Sequence, residues 1–273
     1  MTTATIQRTD YTKNGYGKKI LLDLINSPME KSRAYYNNMH NYSLYNTCLL
    51  MYQMAYNNIE FSPCCSFTRW KQLGYHVNKG QRAMTVLVPQ VIKFTDEETG
   101  EERKFIKFKA INGVFAMSQT NCKKFDILDV NLTGYDFSKA LEKLNLKVEK
   151  FSEIDGNCGG YATRKGTIAI NSLLNNKEQV HTLFHEIAHH VLNHTNSNCT
   201  LPRDVKEFEA DTVAYTTMKI LGIDDEKLKA ETKGYIKNWV GNDTRLKELL
   251  TDKQVKRILK ATETILKAGE VTK

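Results

Sequence analysis

At 273 residues, with 41% hydrophobic and 26% charged side chains, the chain has room for about two domains and is neither disordered nor fibrous. No apolar run approaches the ~20 residues of a membrane span, so a membrane partner is not expected. The first residues, MTTATIQRTDYTKNGYGKK, lack the apolar core of a secretory signal, and the six cysteines show no CxxC spacing. Free thiols in a reducing cytoplasm are therefore expected, with Cys64 and Cys65 as buried, inert thiols.

The net charge of +8 is unevenly spread. Residues 1–126 hold 17 Lys+Arg against 10 Asp+Glu, or +7, and residues 127–273 hold 22 against 21, or +1. Nine of the 13 tyrosines and seven of the 11 phenylalanines also fall in residues 1–126. Two modules follow from this: 1–126, basic and aromatic, and 127–273.

In chain order, residues 18–55 read as helices broken near Pro28. Strands are expected at Thr85–Phe94 and Lys104–Met117, joined by the acidic, exposed TDEETGEE. Between helices and strands, Arg69, Lys71, Lys79 and Arg82 surround Trp70 and Tyr75. Cations interleaved with rings suit single-stranded nucleic acid, because cations neutralise phosphates while bases stack on aromatic faces. The same composition also describes a packed core beside a surface for an acidic protein.

The second module opens with GGYATRKGTIAIN (Gly159–Asn171), two short strands around a Lys165-Gly166 turn. Its edge suits an extended peptide added as a further strand. Then Val180, Leu183, Phe184, Ile187, Ala188, Val191 and Leu192 recur at helical spacing. Asn176 and Gln179 resemble a capping box at the start of that helix. Beside the apolar stripe lies HEIAH. His185 and His189, one turn apart, present two imidazoles to one ion, with Glu186 beside the water that ion carries. Leu192 and Thr195 stand where a metzincin has glycine and histidine, so that class is excluded. A third ligand is expected downstream in KEFEADTVAY. Glu207, Ala210, Asp211 and Ala214 share a face there, with Glu207 as ligand and Asp211 bonded to a ligand histidine. Glu209 points elsewhere on this reading and is the weaker candidate. His190 and His194 are expected at the surface. The donor set suits zinc best.

Three N-terminal segments, SLYNTCLLMYQ (Ser43–Gln53), FTRWKQLGYHVNKGQRAMTVLVP (Phe67–Pro89) and GVFAMSQT (Gly113–Thr120), together resemble the N-terminal domain of ArdC-type antirestriction proteins. HEIAH followed by EFEAD resembles the family's C-terminal zincin-like domain, related to ImmA/IrrE metallopeptidases. Departures lie at Tyr45 and Asn46, where the family has a more aromatic run, and in the acidic stretch 95–103. The resemblance implies an α+β, two-domain protein of a plasmid or other conjugative element. The first domain is expected to bind single-stranded DNA, and the second to carry Zn2+ on His185, His189 and Glu207. Glu186 is then the general base for hydrolysis of a protein or peptide substrate. Two alternatives remain at this stage: an ImmA-like peptidase that cleaves a repressor, and a DNA-binding protein with a non-catalytic metal site.

Overall fold

The computed structural model describes residues 16–39, 42–95, 101–123, 134–152, 159–223 and 251–271. Residues 96–100 of the expected acidic loop, and Cys158, lie outside these. Helices α1 (Tyr16–Asn26), α2 (Met29–Asn38) and α3 (Leu44–Tyr56) come first. They lead to β1 (Cys64–Ser66), α4 (Phe67–Gln72), β2 (Met84–Thr95) and β3 (Glu102–Ala116). Then follow α5 (Phe137–Lys143), β4 (Lys147–Phe151), β5 (Gly160–Ala162) and β6 (Thr167–Asn171). The described elements close with α6 (Asn176–Val191), α7 (Arg203–Leu221) and α8 (Asp252–Ala268). The fold is α+β. None of the described helices is long and apolar enough to cross a membrane.

Two compact units emerge, one of Met1–Tyr16 with Cys48–Ile127, the other of Gly17–Thr47 with Leu128–Lys273. A single cut after residue 126 differs from this division by placing residues 17–47 with the first module. One tie between this segment and the second unit is Lys219 of α7, only 6% exposed. Its ammonium donates to the carbonyls of Leu24, Ile25 and Ser27 at 2.8, 2.8 and 2.5 Å, at the C-terminal end of α1. Carbonyls at a helix end lack the usual amide donors one turn on, although Leu24 O also accepts from Ser27 Oγ at 2.8 Å, and the cation meets the negative end of the helix dipole. Lys219→Met is expected to lower stability by about 2–4 kcal/mol, since each hydrogen bond to a charged group contributes about 1.5–3 kcal/mol and some acceptors regain water. Chemical denaturation would show this as a lower midpoint.

In the first unit an antiparallel sheet of order β1-β3-β2 holds the core. The residues that resembled a family signature turn out to be its fasteners. Trp70 is fully buried and donates its indole N–H to the Phe115 carbonyl at 2.9 Å. Gly74, at φ +82, closes α4 in the left-handed conformation. The buried Gln53 amide acts as a strand partner, donating to Thr85 O and accepting from Thr85 N, both at 2.8 Å. Gln119 likewise accepts from Ala116 N at 2.9 Å and donates to Arg82 O at 2.9 Å. Buried backbone groups need such partners, so these amides specify where β2 and β3 begin and end. Farther out, β2 and β3 continue as a two-stranded ribbon. Val91 pairs with Ile106 and Ile92 with Phe105, alternating between the two faces.

The second unit carries a mixed sheet of order β4-β6-β5, with β6 parallel to β4 and antiparallel to β5. Helix α6 starts one residue earlier than the sequence pattern indicates. Asn175, not Asn176, accepts from Lys177 N and Glu178 N, and Glu178 returns a bond to the cap, because Asn176 is already helical. The α6 stripe buries Phe184, Ile187 and Ala188 at no more than 1% exposure. Ala210 and Ala214 of α7, both fully buried, remove side-chain bulk and let the two helices approach closely.

Candidate metal centre and nucleic-acid face

One turn of α6 sets His185 above His189, and their Nε2 atoms stand 3.0 Å apart. Glu207 reaches in from α7, its Oε2 3.2 Å from His185 Nε2 and 3.7 Å from His189 Nε2. Among the described residues, these three form the group whose donor atoms lie within 4.8 Å of one another and could hold a metal ion. Asp211, one turn beyond Glu207, accepts from His185 Nδ1 at 2.7 Å, which turns the Nε2 lone pair inward.

The donor set fits a divalent ion. Ligands about 2.1 Å from a tetrahedral ion stand roughly 3.4 Å from each other, and the three observed separations bracket that value. Two ring nitrogens and a carboxylate oxygen so close together repel unless a cation lies among them. The electrostatics of the site point the same way. Burial alone lowers the His185 pKa, but hydrogen bonds with Asp211 and Glu207 outweigh it and raise it to about 10. The adjacent His185 and His189 rings hold the Glu207 carboxyl well below its usual range.

Glu186, 7% exposed, lies against β5, its Cγ 3.5 Å from where a Gly160 Cβ would stand. Burial pushes its carboxyl above the ordinary range, and His185 and His189 pull it partly back. The cleft before it measures about 640 Å³ and is lined by Gly160, Tyr161, His185, Glu186, His189 and Glu207, among others. Strand β5 forms one wall. A Cβ at Gly160 would sit 2.6 Å from Thr182 Cγ2 and 2.7 Å from Ala169 O, so only glycine lets the strand lie this close to α6.

The sequence reading therefore places His185, Glu186, His189, Glu207 and Asp211 around one point, but it misjudges their surroundings. His194 is not at the surface: its side chain is fully buried and meets Glu209 at 2.8 Å. Glu209 points away from the Glu207 side, yet into that contact, with Arg257 Nε 3.4 Å from it. His190 is half-buried, and its Nε2 has no hydrogen-bond partner among the described residues. The apolar stripe gave no warning here, because His194 follows the helix and lies outside its periodicity.

In the first unit Arg69, Lys71, Lys79 and Arg82 are exposed, whereas Trp70 is core and cannot stack on a base. Exposed rings lie elsewhere: Phe67 at 54%, Phe94 at 45% and Phe105 at 47%. Phe67 and Lys71 are four residues apart on α4 and so share a face. Lys104, Lys107 and Lys109 are exposed along the ribbon beside Phe105. Cys64 is buried as expected but Cys65 is only half-buried; burial raises the pKa of both thiols, with Arg69 partly opposing it at Cys65.

Known proteins share this architecture. Residues 25–115 match the family model of the N-terminal domain of anti-restriction factor ArdC, and residues 141–247 that of the IrrE N-terminal-like domain of peptidase family M78. An uncharacterized protein of Bacillus anthracis is 24% identical across 92% of this chain, which spans only 48% of that relative's length. The metal-free crystal structure of antirestriction protein ArdC from plasmid R388 aligns with a TM-score of 0.51 at 20% identity, covering 93% of this chain and 97% of that one. Its Mn(II)-bound structure aligns with a TM-score of 0.53 at 17% identity, covering 93% and 98%. At these identities the structural likeness shows the fold.

Proposed function

We propose that the chain is an ArdC-type protein, a cytoplasmic antirestriction protein of a mobile element, as its two matched domains and shared fold support. It binds single-stranded DNA through its first unit and hydrolyses a peptide bond at a zinc centre in its second. The observation that carries the catalytic reading is the convergence of His185, His189 and Glu207 on one point, with the buried Glu186 beside it in an open cleft.

A divalent ion bound there supplies a polarised water and a Lewis acid for the peptide carbonyl. The rest falls to the chain. Glu186 takes the proton of the attacking water on its carboxylate and delivers it to the amide nitrogen as the C–N bond breaks. The elevated affinity of that buried carboxyl for a proton suits both halves of the transfer. Asp211 keeps the proton on His185 Nδ1 and fixes the ring. Strand β5 offers backbone groups along the cleft wall, where an extended substrate adds as a further strand.

Zinc is the favoured ion because two imidazoles and one carboxylate match its ligand preference. For DNA, the exposed cations Arg69, Lys71, Lys79 and Arg82 meet phosphates, and Phe67, Phe94 and Phe105 take the stacking role first given to Trp70. Non-specific affinity for an oligothymidylate should then fall steeply with salt. Lys71→Glu/Arg82→Glu should reduce the log–log slope by about 1.4, two contacts at about 0.7 each. Binding that is flat in salt would instead favour a protein partner for this unit, as in a repressor-cleaving peptidase.

A further inference from the structure

We infer that His194 and Glu209 are positioning residues that lock ligand His189 in the tautomer whose Nε2 lone pair faces the metal centre. This rests on the metal reading above and goes beyond it.

The arrangement begins in the backbone at the end of α6. Asn193 adopts φ +57, a left-handed conformation that a short polar side chain tolerates. Asn193 N then bonds His190 O at 2.9 Å, and His194 N bonds His189 O at 2.8 Å. These are the paired bonds of a Schellman closure, in which the second residue past the cap folds back on the last turn, where an apolar contact is usual. Here that contact joins two imidazoles. His194 Nδ1 lies 3.0 Å from His189 Nδ1.

With a neutral His194, one distribution of protons satisfies the chain of contacts. Glu209 Oε2 lies 2.8 Å from His194 Nε2, and Arg257 Nε is 3.4 Å from the same oxygen. A carboxylate beside a guanidinium is ionised and accepts only, so His194 carries its proton on Nε2. Its Nδ1 is then a bare acceptor, and His189 must donate from Nδ1. His189 Nε2 is left without a proton, facing His185 Nε2 and Glu207. Asp211 does this directly for His185; Glu209 does it for His189 through an intervening ring. The two ligands are thus held by separate carboxylates on α7, two residues apart. The relay is buried, with the side chains of His194 and Glu209 no more than 1% exposed, so water does not substitute for it.

Long-range 1H–15N correlation spectra of the zinc-loaded full chain test this directly. His189 should carry hydrogen on Nδ1 and His194 on Nε2; a proton on His194 Nδ1 would overturn the inference. Zinc titration of two variants supplies the second arm. His194→Leu should weaken zinc binding 10–100-fold, the usual cost of losing an outer partner of a ligand histidine. His194→Gln should retain wild-type affinity, because its amide oxygen accepts from His189 while its NH2 donates to Glu209. Equal affinity for His194→Leu and wild type, or an equal loss in both variants, would refute the relay while leaving the metal site standing. A wild-type chain that takes up no zinc would defeat both. Should His194→Leu not fold, the wild-type spectra decide alone.

Discussion

Glu186→Gln is expected to retain its divalent ion and lose peptide hydrolysis by about 10²–10⁴-fold, the span attributed to a well-placed general base. Glutamine keeps the size and shape of the side chain, so the packing of α6 against β5 near Gly160 survives. It cannot accept the proton of the attacking water, and the ligand set of His185, His189 and Glu207 is untouched. The measurement pairs a peptide-cleavage assay with metal content per chain. Undiminished cleavage at full metal occupancy would remove Glu186 from the mechanism, and a parallel loss of metal would show that its role is structural.

The second large effect is on the metal itself. Glu207→Ala removes the only carboxylate among the three ligands and should weaken zinc binding by more than about 100-fold, beyond what the loss of an outer partner costs. Protons compete at the same atoms, and the sign follows from His185. In the metal-free chain its pKa is raised to about 10 by Asp211 and Glu207, against the burial that opposes them. Loading an ion near neutrality therefore expels a proton, and apparent affinity should rise about tenfold per pH unit until pH 10 is approached. Stability of the metal-free chain runs the other way. A raised pKa contributes its full stability below the ordinary histidine value of about 6.5 and loses it as pH climbs toward 10. The opposing Glu207 contribution holds at neutral pH and is lost only on acidification, since that carboxyl is depressed. Calorimetric zinc titrations at several pH values, alongside thermal melts of the metal-free chain, check both trends.

Legibility in the sequence followed the range of the interactions involved. The HEIAH ligands sit one helical turn apart, so period alone places them on one face. Glu207 and Asp211 were accessible for the same reason once a second helix was read. Trp70 was not, because an indole beside four cations looks alike whether it stacks on a base or packs under a strand. Its hydrogen bond to Phe115, 45 residues away, decides the matter. The roles of Gln53 and Gln119 were hidden likewise: each satisfies backbone groups whose need appears only when the sheet forms. His194 was misread because a cap with a left-handed Asn193, not a periodic pattern, carries it back to His189. The attachment of residues 17–47 to the second unit includes Lys219, whose charge gave no hint of burial among three carbonyls.

The proposed chemistry requires that α6 and α7 bring three side chains onto one divalent ion. Metal analysis of purified wild type beside His185→Ala, after loading with zinc and exhaustive dialysis, tests it most directly. About one equivalent is expected in the wild type and essentially none in a variant that keeps its fold by circular dichroism. A folded wild type that holds no metal, or a His185→Ala chain that holds as much, would contradict it.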